Sequence, residues 1–176
     1  LTQITIPSSV TEIGDSAFQT CISLTEVTIE IPSSLTSIGK KAFCNCQLLK
    51  QILIPSSVKS IKSDAFNECK SLIQITIPSS VTLIEDSIFT ECSSLKRASI
   101  PKSIYNISNH LFSQCSSLTQ LILPPIFYSI GYSGFNKCSS LKQITIPSSV
   151  TSIDCYAFHE CSSLTEIIIP SSVTSI

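Results

Sequence analysis

One phrase of 23 residues, repeated in phase from the first residue to the last, constrains this chain more than any local motif does. It reads L-x-x-I-x-I-P-S-S-V-T-x-I-x-x-x-A-F-x-x-C-x-S, and its fullest copy runs from Leu141 to Ser163. Copies begin at Leu1, Leu24, Leu49, Leu72, Leu95, Leu118, Leu141 and Leu164. Residues 1–176 thus form a single domain of seven full repeats and one half repeat, with no linker or compositional break. The copy from Leu24 to Leu48 is two residues longer, because TIEIP stands where the others have TIP. A proline column (Pro7, Pro32, Pro55 and onward to Pro170) and a phenylalanine column (Phe18, Phe43, Phe66 and onward to Phe158) keep step throughout. Such a repeat cannot bury its apolar face alone. It must stack on its neighbours.

Within one repeat the chemistry of a coil is legible. Leu1, Ile4 and Ile6 enter the core, with Ile4 and Ile6 in two-residue alternation, so Gln3 and Thr5 face outward. Pro7 has no N–H for a ladder and ends the strand, and Ser8-Ser9 form a turn. Val10 to Ile13 reads as a second short strand. Asp15 is expected to cap one helical or 3₁₀ turn through Ser16-Ala17-Phe18. Coils stacked at the strand spacing of about 4.8 Å make a column roughly 35 Å long, with the first strands in one parallel sheet.

Charged residues are only 13% of the chain and the net charge is −1, a balance unsuited to nucleic acid, which demands clustered Lys and Arg. No apolar run is long enough to insert in a membrane. No basic stretch followed by an apolar core opens the sequence, so none of it reads as a signal peptide.

Seven of nine cysteines, from Cys21 and Cys46 to Cys161, share one column. Cysteine there acts as a small buried hydrophobe. A line of thiols at the coil spacing suits neither disulfides nor a convergent metal site. All seven are expected reduced and buried. Cys44 and Cys155 lie outside the column at polar positions and are expected to be the exposed thiols. His110 and His159 stand in variable, exposed positions. The serines belong to turns, and no nucleophile–base pair or paired carboxylates are singled out. Nothing in the sequence calls for a cofactor or metal. Asn106-Ile107-Ser108 is a lone glycosylation sequon.

L-x-x-I-x-I-P followed by A-F-x-x-C-x-S-L, over the whole chain, resembles the leucine-rich repeats of the BspA-like class, the Treponema pallidum type. The resemblance implies a β-dominated leucine-rich-repeat solenoid of the right-handed superhelix type, with a parallel sheet on one face and short strands and 3₁₀ or helical turns on the other. It implies a non-enzymatic adhesion or recognition module of a cell-surface or secreted protein, whose partner is a protein such as a host matrix or cell-surface component. The alternative is a passive spacer that displays other domains. The strand-end Asn of larger leucine-rich repeats is missing and Pro7 and its equivalents replace it, so an asparagine ladder is not expected.

Departures from the template mark the candidate binding residues. They gather in the fifth and sixth repeats: Arg97, Ser99, Tyr105, Ile122, Tyr128 and Tyr132, with Tyr105 and Tyr128 neighbours in one column. Exposed Tyr and Arg are favoured at protein interfaces. Phe127, in the Val position, is expected in the core. The template runs unmodified into both ends, without polar caps. That leads to the expectation of a segment of a longer array, able to self-associate through uncapped ends.

Overall fold

The structure, a computed structural model, describes residues 1–176. Each repeat is one coil with three walls, and the walls follow from the repeat. The first wall holds β1 (Gln3–Ile6), β3 (Glu26–Ile29), β6 (Gln74–Thr76), β8 (Arg97–Ser99) and β10 (Gln120–Ile122). The second holds β2 (Glu12–Ile13), β4 (Ser37–Ile38), β5 (Ser60–Ile61), β7 (Leu83–Ile84), β9 (Asn106–Ile107), β11 (Ser129–Ile130) and β12 (Ser152–Ile153). All pairings are parallel and join equivalent residues, as Gln3 with Glu26 and Ile13 with Ile38. Between the strands the Pro-Ser-Ser-Val turn closes on a bond from Val10 N–H to the Pro7 carbonyl, 3.0 Å, and recurs in most coils. The two extra residues of the second coil, Glu30 and Ile31, are expelled at the end of β3. Ile31 is exposed, and the register resumes at β4.

The first wall is not one sheet. It divides into β1–β3 and β6–β8–β10, with a single bridge from Val27 to Ile52 where the third coil follows the longer second one. The second wall is also interrupted, between β7 and β9. There the Ser108 hydroxyl donates to the Ile84 carbonyl at 3.0 Å, where other junctions use a main-chain N–H, while the Ser103 hydroxyl donates to the Val81 carbonyl at 2.6 Å as Ser172 does to Val150.

Only the third wall is unbroken. Ser16, Phe18 and Thr20 donate their N–H groups to the carbonyls of Lys40, Ala42 and Cys44 at 2.7, 2.8 and 2.7 Å. The same three bonds recur at every junction up to Ser133, Phe135 and Lys137 on Cys155, Ala157 and His159. Intervening N–H groups close turns inside the coil, as Gln19 on Ser16 and Cys21 on Phe18. No helical or 3₁₀ turn forms, contrary to expectation. The residues on either side of the Phe column, Ser16 and Thr20 and their equivalents, have φ between 54° and 62°, which takes the chain out of the right-handed helix. Asp15 does not cap its own coil. Its carboxylate accepts the N–H of Lys40 in the next coil at 2.7 Å, and Asp86 and Asn109 do the same for Asn109 and Tyr132.

Inside, the phenylalanines form one continuous pile. Neighbouring rings from Phe18 to Phe158 lie 5.3 to 5.9 Å apart and within 14° of parallel. Five of them, Phe43 to Phe135, are fully buried, as is Phe127. Phe66→Ala should cost about 3–5 kcal/mol. Phe158→Ala should cost less, since Phe158 is only half-buried. Equal losses in urea denaturation would show that burial does not grade the column. The left-handed residues give a second test. Each such non-glycine costs about 1–2 kcal/mol, against about 0.5–1 kcal/mol of chain entropy for glycine. Ser87, at φ 62° and with no side-chain hydrogen bond, is the clean site. Ser87→Gly should raise the urea midpoint and Ser87→Val should lower it; the reverse order would refute the account.

Candidate functional site

The register pairs place the sequence candidates on two different walls. On the first wall, Gln74, Arg97 and Gln120 are consecutive across β6, β8 and β10, and Thr76, Ser99 and Ile122 run beside them. Arg97 and Ile122 are exposed and Ser99 is half-buried. These side chains line a groove of about 840 Å³ that continues over Gln143 and Thr145 of the seventh coil. Its floor includes Ala98, in the inward column where the neighbouring coils carry Ile75 and Leu121. Its far edge is Pro124, Pro125 and Pro147. A smaller hollow of about 370 Å³ lies on the same wall over Glu26 and Leu53.

Arg97 has no carboxylate partner. The ion pairs of the chain are Lys62–Glu12, Lys70–Glu68, Lys137–Glu160 and, when protonated, His159–Glu160, all on other surfaces. In the first two coils, by contrast, the Gln3 amide donates to the Glu26 carboxylate at 3.1 Å. Partner atoms for the guanidinium must come from solvent or from a ligand.

The tyrosines belong to the second and third walls. Tyr105 and Tyr128, whose N–H and carbonyl join the fifth and sixth coils at 2.7 Å, stack at 5.9 Å with ring planes 16° apart. Tyr132 does not join them. It meets His110 edge to face at 5.1 Å and Tyr156 at 5.7 Å, and Tyr156 in turn meets His159 at 5.4 Å. His110 is half-buried rather than exposed, because this ridge covers it; His159 is exposed and lies 3.2 Å from the Asn136 amide oxygen. Asn106 is exposed and its side-chain oxygen accepts the Ser129 hydroxyl at 2.8 Å.

Reading outward columns one by one missed two sets of residues. Tyr156 and His159 lie one and four positions beyond the Tyr132 column, so only stacking brings them into one ridge. Ala98 was legible as a gap in the inward isoleucine column.

The cysteine column has a chemistry beyond space-filling. Each thiol from Cys46 to Cys161 donates to the carbonyl of a phenylalanine in the preceding coil, at 3.0 to 3.2 Å. That carbonyl already accepts a main-chain N–H, as Phe43 does from Cys46, so the thiol fills its second lone pair. All nine cysteines are free. Cys155 is exposed, as expected, but Cys44 is buried, since the third wall closes over it, and Cys21 is only half-buried, with no coil on its outer side. Burial pushes the Cys46 thiol up to about 12 and raises Cys69, Cys92, Cys115 and Cys138 strongly. Cys44 is raised first by burial and then by the charges of Glu68 and Asp64. No group of three or more His, Cys, Asp or Glu is placed to hold a metal ion, and no helix is long and apolar enough to cross a membrane.

A family model for the BspA type leucine rich repeat region matches residues 1–119 and 82–176, in six copies. Among solved structures, the chain is similar to a leucine-rich repeat protein from Bacteroides ovatus, with 39% identity and a TM-score of 0.92 over 99% of this chain and 44% of that one. A leucine-rich repeat protein from Eubacterium ventriosum is 26% identical, with a TM-score of 0.78 over 98% of this chain and 56% of the other. The leucine-rich repeat protein of T. pallidum is 26% identical, with a TM-score of 0.60 over 79% of this chain and 77% of its own. The chain therefore spans about half the length of the first two. No curated protein matches it.

The thiols supply a prediction with two readouts. A thiol reagent should label Cys155 fast and the column and Cys44 only on unfolding; early modification of Cys44 or Cys92 would contradict their burial. A thiol whose pKa is raised by folding holds its proton more tightly in the native state. Its contribution is fully present below the ordinary value of 9.0 and is lost as pH rises through the folded values, that of Cys46 being about 12. The urea midpoint should thus fall from about pH 8 to about pH 11, and fall less in Cys69→Ala/Cys92→Ala. An equal slope in both proteins would assign the loss to other groups.

Proposed function

The chain belongs to the BspA-type leucine-rich repeat family, and from that premise we propose that it is a non-enzymatic recognition module of a cell-surface or secreted protein, adhering to a protein ligand through the first wall of its fourth to seventh coils. One observation carries the choice of wall: the groove there combines an unpaired guanidinium, Arg97, with an exposed Ile122, 65% accessible, in the adjacent coil. An interface needs a desolvated apolar centre with polar groups that fix orientation. Ser99 and the amides of Gln74, Gln120 and Gln143 supply the polar part. Tyr105, Tyr128 and Tyr132 form a second, separate patch. Membership of the BspA-type repeat family and the repeat form support the adhesive reading, while the near-identity of the repeats, all built on one template, favours a passive spacer.

Binding to a panel of extracellular matrix proteins and to intact cells separates the two. Arg97→Ala/Ile122→Ala should weaken capture at least tenfold, corresponding to a loss of more than about 1.4 kcal/mol, while Tyr105→Ala/Tyr128→Ala changes it less. If the native chain captures nothing, or both variants match it, the spacer reading holds.

A further inference from the structure

The distribution of charge identifies the kind of partner. Between Cys92 and Ile153 there is no Asp or Glu, although the chain has 12 in all. The same stretch carries Lys96, Arg97, Lys102, Lys137 and Lys142. Of these only Lys137 has an ion pair, with Glu160 on the third wall. Arg97 opens β8 and Lys96 precedes it, Lys142 stands in the column of Lys96 in the seventh coil, and all three are exposed. Arg97 lines the groove, and Lys96 and Lys142 each immediately precede a lining residue, Arg97 and Gln143. The opposite side is apolar at the sixth coil, with Ile122, Leu123 and the exposed Pro125, and is flanked there by Ser99 and Thr145. Lys102 follows Pro101 in the turn beyond it and is exposed as well. The near-neutral total, −1, hides this local excess, because the carboxylates are confined to residues 12–91 and 154–166.

We propose that the groove receives an extended acidic segment of the partner protein, with carboxylates toward Lys96, Arg97 and Lys142 and apolar side chains toward Ile122 and Pro125. The proposal rests on the first-wall recognition reading and gives its partner a chemistry. In an extended chain, successive side chains point to opposite sides. A segment alternating acidic and apolar residues and lying along the stack therefore addresses both borders at once. The cations have no internal partner to surrender, so binding costs no broken ion pair, and complementary charge raises the encounter rate and disfavours basic competitors. The apolar border distinguishes this ligand from a sulfated glycan, which would satisfy the cations and leave Ile122 and Pro125 facing water. The hollow over Glu26 on the same wall has Lys50 beside it but a carboxylate in the Arg97 column, and should bind the same segment more weakly.

The test uses the full chain and a labelled peptide of alternating Glu and Val, with an alternating Lys and Val peptide and a heparin oligosaccharide as comparators. The Glu-Val peptide should bind, and Arg97→Glu/Lys142→Glu should weaken it roughly tenfold or more, as should a rise from about 50 to about 500 mM salt. Lys40→Glu/Lys59→Glu, the same charge change on the second and third coils, should leave it within about twofold. Thermal melts of both variants should match the native chain, since all four positions are exposed. No binding of the Glu-Val peptide, equal loss in the two variants, or binding of heparin alone overturns the proposal. Capture of a matrix protein that survives Arg97→Glu/Lys142→Glu would overturn the acidic partner while leaving adhesion intact. Peptide binding without matrix or cell capture would do the opposite.

Discussion

Everything else in the stack hangs on the third wall, where three main-chain hydrogen bonds join each full coil to the next. A coil of this length has no helix and only two to four strand residues per wall, so it lacks an internal ladder of its own. The bonds from the Ser16, Phe18 and Thr20 positions supply it, all pointing from one coil to the following one. They exist because fourteen non-glycine residues accept a left-handed conformation, two in each of seven coils. That cost, about 1–2 kcal/mol at each position, is offset by what the conformation brings together. It holds the phenylalanines in register as a pile and aims each cysteine at the free lone pair of a buried carbonyl. The first and second walls are interrupted without loss of the fold, because the third is not.

Much of this was legible in the sequence because the repeat states the core directly. The columns of Leu, Ile, Val, Phe and Cys are buried where the alternation places them, and the two extra residues of the second coil leave at the strand end, where TIEIP put them. What was not legible is the backbone of the third wall. Ser, Lys, Asp, His and Tyr occupy the left-handed position before Phe, and Thr, Asn, Glu, Gln and Lys the one after, with no glycine among them. The usual marker of positive φ is therefore silent, and an Asp before a short apolar run looks like a helix cap. Cys44 failed for a related reason. Its column holds polar residues in the other coils, but the wall closes over it as it does over Ser113.

The same division explains where a binding surface can arise. Residues on the third wall are tied by φ and by inter-coil bonds, so a substitution there disturbs the stack. On the first wall the outward side chains of β6, β8 and β10 carry none of that duty, since the strands pair through main chain alone. Arg97 in place of glutamine and Ile122 in place of threonine therefore alter the surface at little cost to the fold. Ala98 adds depth: it stands beside Ile75 and Leu121 with fewer carbons, yet remains buried because the coils on either side close around it. A small residue in an inward column and a large one in an outward column, one coil apart, make a concavity with an apolar border. Leu53 without a small inward neighbour accompanies only the smaller hollow of about 370 Å³, against about 840 Å³ here, and a column-by-column reading sees only one change at a time. The candidate site is in this sense a product of stacking, written across coils rather than within any one of them.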